Sequence, residues 1–345
     1  MMASRAEMRP VLVMAGWLLG STILAGLALR PAFGDAFLVT RYTGYVMPWL
    51  LAVLVPGAAA AWLTHHRALA AVAAASIAII TAAHAPLFRS KPAPPASSGF
   101  SLRVMSYNTW SRNLDVQRIA RAIDRQRPDL LLVQEIRPKI FAGVVEALRE
   151  ASGGAEVHVA YDPQLLQGIV SRYPVEASGS MRTKGKAQRA VLRSPAGPIA
   201  IYNVHPLRRG GWHDRYSQIE ALLQEDVLRE TGPVILGGDF NAPDRSQLYG
   251  MVTRALHSAH DDRGFGFGFT YPAHVWLPFG AVPAVPLVRI DHIFFSEALV
   301  AIRAETLDDS GGSDHRPVLA ELAPRAAEPQ GVTGRALGAA ARRRP

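Results

Sequence analysis

Three apolar stretches crowd the first 88 residues, and they constrain the chain more than any other feature. Residues 11–29 (VLVMAGWLLGSTILAGLAL) and 46–63 (VMPWLLAVLVPGAAAAWL) carry no charged side chain. Each approaches the roughly twenty residues needed to cross about 30 Å of hydrocarbon. The third, 68–88, is alanine-rich and contains His84. Short polar loops lie between them, with Arg30, Asp35 and Arg41 in the first and His65, His66 and Arg67 in the second. A cleaved leader would account for the first stretch alone. Pro48 and Pro56 are compatible with membrane helices whose neighbours satisfy the freed backbone. Residues 1–88 are therefore read as a multi-pass region with three spans, and the bilayer is the expected partner. Arg5 and Arg9 before the first span favour a cytoplasmic N-terminus. Three crossings then put the rest of the chain outside the cytoplasm, an assignment that Arg89 and Lys91 oppose.

Composition follows the same division. Hydrophobic residues make up 49% of the 345 positions and charged residues 19%, with the apolar excess confined to the N-terminal region. Residues 89–100 (RSKPAPPASSGF) are rich in Pro and Ser and read as an extended tether. Residues 101–322 have an ordinary globular mixture. Beyond them, 323–345 hold too few large apolar groups for a core and read as a disordered basic tail. The chain has no cysteine, which excludes disulfides and thiolate metal sites. Its net charge of +9 suits an anionic partner or, equally, a solvated arginine-rich surface.

Within 101–322, apolar runs at 102–107, 130–134, 198–204, 233–237, 289–295 and 317–322 predict strands. Helical spacing of Val116, Ile119, Ala120 and Ile123 predicts a helix over 115–126. Ile219, Leu222, Leu223 and Val227 do so over 214–229. Such a mixture predicts an α/β domain.

Polar groups sit where those runs end, which is where a strand leaves the core and a site can be built. Asn108 ends SYN, Glu135 ends LLVQE, and His205 follows IYNV. Asp239 and Asn241 lie in GGDFNA, Asp291 in RIDHIFFS, and Asp314 and His315 in GSDHRPV. Hydrolysis of a phosphate ester needs a cation, a positioned water and stabilisation of the developing charge. Oxygen ligands from Asp, Glu and Asn suit Mg²⁺ or Mn²⁺. An Asp–His pair orients an imidazole that can hold positive charge beside a phosphate. Taken singly, each residue has a plain reading as a turn, a cap or a solvated edge. It is their order and number that point to chemistry.

SYNTW, LLVQE, NVHP, GGDFNA, RIDHIFFS and GSDHRPV, in this order, resemble the signature blocks of the endonuclease/exonuclease/phosphatase superfamily, the DNase I-like group. The resemblance covers 101–322. It implies a four-layer α-β-β-α sandwich preceded by about three transmembrane helices. By the same resemblance, Glu135 is the principal metal ligand, supported by Asn108 and Asp314. Asp239 aligns or deprotonates the attacking water, and Asn241 holds the phosphate. His315, oriented by Asp291, stabilises the phosphorane charge, and His205 contacts the phosphate or assists the leaving group. The apurinic endonuclease branch has an acidic residue two positions after the first-block Asn. Here that position is Trp110, which fits the phosphatase and sphingomyelinase-like branches better.

The substrate is less legible. Arg182, Lys184, Lys186, Arg189 and Arg193, with Arg208 and Arg209 after His205, form either a positive rim or a solvated face; Arg208 is the candidate substrate contact. The segment 264–288 carries Phe265, Phe267, Phe269, Tyr271, Trp276 and Phe279 in a context broken by Gly and Pro. These aromatics suit stacking on a base, contact with lipid headgroups, or packing against the sandwich. The expected activity is a membrane-anchored, Mg²⁺- or Mn²⁺-dependent hydrolase of phosphate mono- or diesters, its substrate a lipid headgroup, a small phosphoester or nucleic acid. A tethered nuclease and a catalytically silent binding module are the alternatives.

Overall fold

The computed structural model describes residues 5–92, 95, 99–154, 156–177, 187–206, 211–278 and 280–326. It comprises an N-terminal helical bundle docked on an α/β body.

In the bundle, α1 (Arg5–Phe33) is followed by α2 (Leu38–Tyr45), a 3₁₀ turn at Met47–Leu50, α3 (Leu51–Leu63) and α4 (Arg67–His84). Two helical segments, Pro10–Phe33 and Arg67–Phe88, are long and apolar enough to cross a membrane. At 1.5 Å per residue they reach about 36 and 33 Å. The second apolar stretch is helical over Met47–Leu63, and α2 meets that segment at a bend of 85°. Pro48, which has no N–H to donate, sits in the 3₁₀ turn at this break. Ile23, Leu27, Leu54 and Ile80 form the bundle's interior.

The body is a four-layer sandwich. One sheet has the order β13 (Leu299–Thr306), β14 (Val318–Pro324), β1 (Leu102–Asn108), β2 (Leu130–Gln134), β4 (Gln167–Ser171) and β3 (His158–Asp162). The other runs β5 (Val175–Ala177), β6 (Ala187–Ser194), β7 (Gly197–Val204), β8 (Val234–Asp239), β12 (Asp291–Phe295) and β9 (His257–Ser258). A separate hairpin joins β10 (His274–Leu277) to β11 (Gly280–Pro283). Each large sheet is built on one parallel pair, β1–β2 and β7–β8, with antiparallel neighbours. A parallel pair requires a crossover, and helices α5 (Val116–Asp124) and α7 (Trp212–Glu225) supply it.

Strands buried on both faces read as continuous apolar runs, which is why LLLVQ is buried throughout. Leu132, Ile169, Ile201, Ile235 and Phe295 fill the space between the sheets. Ile119 and Ile123 of α5, with Phe141 and Val144 of α6 (Pro138–Ala151), cover the first sheet. Ile219 and Leu222 of α7, with Leu248 and Val252 of α8 (Gln247–Thr253), cover the second. The carboxylate of Asp115 caps α5 by accepting the Arg118 N–H at 2.9 Å.

Bundle and body meet along one end of each. The Trp49 ring stacks on Phe269 with centroids 5.6 Å apart, and its indole N–H donates to the Leu287 carbonyl at 2.7 Å. Asp35 accepts the Gln247 N–H at 2.7 Å, and Arg245 donates to the Ala83 carbonyl at 2.7 Å. Gly266 N–H donates to the Leu87 carbonyl at 2.8 Å. The segment read as a tether therefore leaves a bundle that is already seated on the body. The tail from 327 onward lies outside the described residues, as do 93, 94 and 96–98 of the tether.

Candidate active site

The C-terminal ends of the four parallel strands converge on one cleft, and β12 and the loop before β14 complete it. Asn108 ends β1, Glu135 follows β2, His205 follows β7 and Asp239 ends β8. Antiparallel register sets Asp291, the first residue of β12, opposite Asp239. Asp314 and His315 precede β14.

The local backbone is shaped to this purpose. Gly238 has φ of +154°, and a Cβ there would lie 1.9 Å from the Val204 carbonyl oxygen. Only glycine lets β8 pass so close to β7 just before Asp239. Glu135, Asn241 and Trp110 all hold left-handed conformations, with φ of +53°, +50° and +62°. Non-glycine residues adopt these at a cost of about 1–3 kcal/mol each when surrounding contacts impose them.

The side chains form a connected cluster. Asn108 Nδ2 donates to Asp239 Oδ2 at 2.9 Å, and its Oδ1 accepts the Trp110 N–H at 2.9 Å. Ser111 N–H donates to Glu135 Oε2 at 3.1 Å. Asn241 N–H donates to Asp239 Oδ1 at 2.8 Å, with its side-chain amide 3.3 Å from Oδ2. His205 Nε2 stands 3.6 Å from Glu135 Oε1 and 3.7 Å from Asp239 Oδ2. His315 Nδ1 pairs with Asp291 Oδ2 at 2.9 Å, and its Nε2 lies 3.7 Å from Asp239 Oδ2. Distances of 3.6–3.7 Å are too long for hydrogen bonds. Neither imidazole closes on a carboxylate through Nε2, so that edge of each ring stays available to a substrate oxygen.

Charge is unevenly balanced here. Burial works against the His315 imidazolium, but Asp291 and Asp239 outweigh it and push its pKa up to about 10. Burial raises Asp291, and contact with His315 opposes that rise. Burial also pushes Asp314 up to about 6; His315 opposes this, and Glu135 and Asp239 add to it. For Glu135, burial acts upward, yet His205 and hydrogen bonds from Ser111 and Asn108 hold its carboxyl below the usual range. Glu135, Asp239, Asp291 and Asp314 thus share a cleft with one imidazolium, a surplus of negative charge that a hard cation would neutralise.

Two observations bear on where such a cation fits. Ligand atoms of Asp239, Asp291 and His315 lie within 4.8 Å of one another. Of these, His315 already engages Asp291 through Nδ1 and carries a proton at neutral pH, so it offers no lone pair. Asp291 Oδ1 and Asp314 Oδ1 are both buried with no hydrogen-bond partner among the described residues. With Glu135, Asp314 offers oxygen donors of the kind that suit a divalent cation.

All eight described residues singled out from the sequence, Asn108, Glu135, His205, Asp239, Asn241, Asp291, Asp314 and His315, belong to this one cleft or its walls. Arg208 lies outside the described residues, with Arg182, Lys184, Lys186 and Arg209. Two members of the expected basic rim are committed elsewhere: Arg189 pairs with Glu230 at 2.7 Å and Arg193 with Glu176 at 2.6 Å. Sequence reading overlooked three supporting groups. Ser313 donates to the Asn108 carbonyl at 2.7 Å and accepts the His315 N–H at 3.0 Å. Gln134 and Asn203 join the two sheets beneath the site: Gln134 Nε2 donates a buried hydrogen bond to Asn203 Oδ1 at 2.7 Å. All three, Ser313, Gln134 and Asn203, stand inside the polar blocks, next to the candidate site residues. Tyr271, one of the aromatics noted in the sequence, lies against the His315 ring at 4.9 Å.

The profile of the Endonuclease/Exonuclease/phosphatase family matches residues 105–315. Among solved structures, the chain is similar to an endonuclease/exonuclease/phosphatase family protein from Bacteroides thetaiotaomicron. Identity is 18% and the TM-score 0.52, over 66% of this chain and 98% of that one. An endonuclease/exonuclease/phosphatase from Bacteroides vulgatus aligns with 18% identity and a TM-score of 0.51, over 66% and 100%. The D. rerio TDP2 structure with a single-strand DNA product aligns with 18% identity and a TM-score of 0.48, over 65% and 99%. A search of curated proteins gave no match.

Proposed function

Because the chain belongs to the endonuclease/exonuclease/phosphatase family, whose members are divalent-metal-dependent hydrolases of phosphate esters, we propose that it is a membrane-anchored phosphoesterase acting by in-line attack of water. The observation that carries this reading is the convergence of Glu135, Asp239, His205 and His315 within 3.7 Å steps across both sheets.

Glu135 and Asp314 would hold a divalent cation, with the Asn108 side-chain oxygen beside them; such an ion would neutralise phosphate charge and favour attack at phosphorus. Asp239, fixed by Asn108 and the Asn241 N–H, orients the water and takes its proton as the new P–O bond forms. The Asn241 amide and the His205 imidazole hold non-bridging oxygens. His315, kept protonated and oriented by Asp291, stabilises the charge that gathers on the phosphorane. The P–O bond to the leaving alcohol breaks opposite the water, and the alkoxide is protonated from solvent.

Anchoring rests on the two membrane-length segments, with the bent pair as a third crossing. The contacts to the body fall at Asp35, Trp49, Ala83 and Leu87, one end of the bundle. With three crossings the N-terminus lies on the opposite face from the body, and Arg5 and Arg9 put the body outside the cytoplasm.

The test uses the full chain in detergent. Wild type hydrolyses bis(p-nitrophenyl) phosphate only with Mg²⁺ or Mn²⁺, and Glu135→Ala abolishes turnover while leaving the fold intact. Turnover that survives chelation, or full activity of Glu135→Ala, would refute the mechanism.

A further inference from the structure

Residues 273–288 (AHVWLPFGAVPAVPLV) contain no Asp, Glu, Lys or Arg. The described residues among them, 273–278 and 280–288, form the β10–β11 hairpin and its return, which stand apart from both large sheets. A hairpin so placed normally turns a polar face to water. Here Val275, Trp276, Val285 and Leu287 are 37%, 55%, 72% and 44% exposed. An exposed apolar segment with no charge of its own, bordered by Arg303, Arg316 and Arg112, marks a surface suited to being covered.

What covers it follows from its two attachments. At one end the segment is joined to the bundle, since Trp49 donates to the Leu287 carbonyl and stacks on Phe269. At the other it is joined to the catalytic loop. Ala273 N–H donates to the Asp314 carbonyl at 2.7 Å, and His274 Nδ1 donates to the Ser313 carbonyl at 2.7 Å. The Trp276 ring meets Trp110 edge-on at 5.9 Å, and Trp110 is held by Asn108. The Arg112 guanidinium lies 5.7 Å from the Trp276 ring. An apolar surface thus runs from the ends of the membrane-length helices to the mouth of the cleft, and a tryptophan with an arginine marks its margin. That pairing suits the headgroup level of a bilayer, where the indole partitions and the guanidinium meets lipid phosphate.

We propose that hairpin 273–288 dips into the bilayer surface and leads into the cleft a phosphate ester whose alcohol carries a membrane-embedded hydrocarbon chain. The proposal rests on the phosphoesterase and membrane-anchor readings above and adds the substrate class to them. Continuity with the bundle selects lipid over a second protein as the occupant, because any partner covering the hairpin must also lie beside the bilayer.

The absence of cysteine makes the test direct, since a single introduced thiol carries the only label. Val275→Cys and Val285→Cys are labelled with a polarity-sensitive dye in the full chain. Glu146→Cys, on α6 over the first sheet, is the control. The chains are reconstituted in phosphatidylcholine vesicles containing phosphatidylglycerol and phosphatidic acid. Dyes at 275 and 285 should shift to the blue and be quenched by acyl-brominated lipid, while the dye at 146 stays in water. Val275→Asp and Val285→Asp should lower hydrolysis of the vesicle lipids about tenfold and leave bis(p-nitrophenyl) phosphate turnover unchanged. Unquenched dyes at 275 and 285 overturn the proposal, as does cross-linking of Val275→Cys to a second copy. An equal loss on both substrates, or turnover of the soluble ester with none of the vesicle lipids, overturns it too. A wild-type chain inert toward bis(p-nitrophenyl) phosphate, p-nitrophenyl phosphate and the vesicle lipids alike would refute the phosphoesterase reading instead.

Discussion

The bundle and the body bury comparable kinds of side chain under opposite rules. In the body, large apolar groups such as Ile201, Ile235 and Phe295 are fully enclosed between the sheets, and its six-stranded sheets carry ion pairs such as Arg193–Glu176 on their exposed margins. In the bundle, Leu12, Leu18 and Leu63 are 68%, 73% and 76% exposed, while Asp35, Thr40 and Ser76 are buried. Removal of apolar surface from water drives the first arrangement. The second suits a solvent as apolar as leucine, in which helices associate through packing and internal hydrogen bonds. The contrast also explains why chemistry resides in the body: only rigid strands bring groups from six distant blocks into one cleft.

The sharpest test of that division removes one cleft carboxylate. Asp239→Asn should reduce kcat about a thousandfold, yet the melting temperature of the body should hold or rise, because fewer charges then crowd the cleft. Equal loss of activity and stability, measured by turnover and calorimetry, would mean that Asp239 is structural. Next in size is a pair of cavities. Ile201→Ala should destabilise the body by about 2–5 kcal/mol, losing both transfer and cavity terms. Ile80→Ala, equally enclosed within the bundle, should lose less than half as much in lipid, where transfer contributes almost nothing. Equal losses in reconstituted protein would indicate a bundle stabilised by water rather than by membrane.

How far each region could be read from the sequence follows the same contrast. Runs such as LLLVQ and VILGG are buried on both faces and announce β2 and β8 directly. The edge strands β3 and β5, and β6 beside β5, mix polar and apolar residues and gave no continuous apolar run to read. The hairpin, with its Gly and Pro, reads as loop. Apolarity over 46–63 records length in hydrocarbon and not direction, so it gives no sign of the bend at which this segment meets α2. The bend depends on how Pro48 and Trp49 pack against the body, which is tertiary information. Candidate site residues were legible because each borders an apolar run, at its end for Asn108, Glu135, His205 and Asp239 and at its start for Asp291, Asp314 and His315. Ser313 and Gln134 were not, since their roles depend on partners more than 60 positions away.

Cation binding comes next in size and bears on the body alone. Mg²⁺ or Mn²⁺ at a hundred times its dissociation constant should stabilise the folded body by about 2.7 kcal/mol through linkage. The shift should vanish in Glu135→Ala, and proteolytic resistance of the bundle should not change with metal. A cation effect on the bundle would place the ion elsewhere.

The smallest expected effect lies where the regions join. Asp35, from the loop between α1 and α2, pairs with Arg30 at 3.0 Å and accepts the N–H of Gln247, the first residue of α8. Only six positions separate Gln247 from Asn241, so a helix of the bundle braces the loop that carries the phosphate-holding amide. Asp35→Ala leaves that N–H and part of the Arg30 charge without a partner, a loss of about 1–3 kcal/mol. It should appear as faster hydrogen exchange across α8 and a fall in kcat of less than about tenfold. Leu18→Ala, on the exposed face of α1, should change neither. If α8 exchanges at the wild-type rate in Asp35→Ala, the bundle is a passive anchor. If exchange quickens and kcat falls together, the membrane region is part of what holds the cleft in shape.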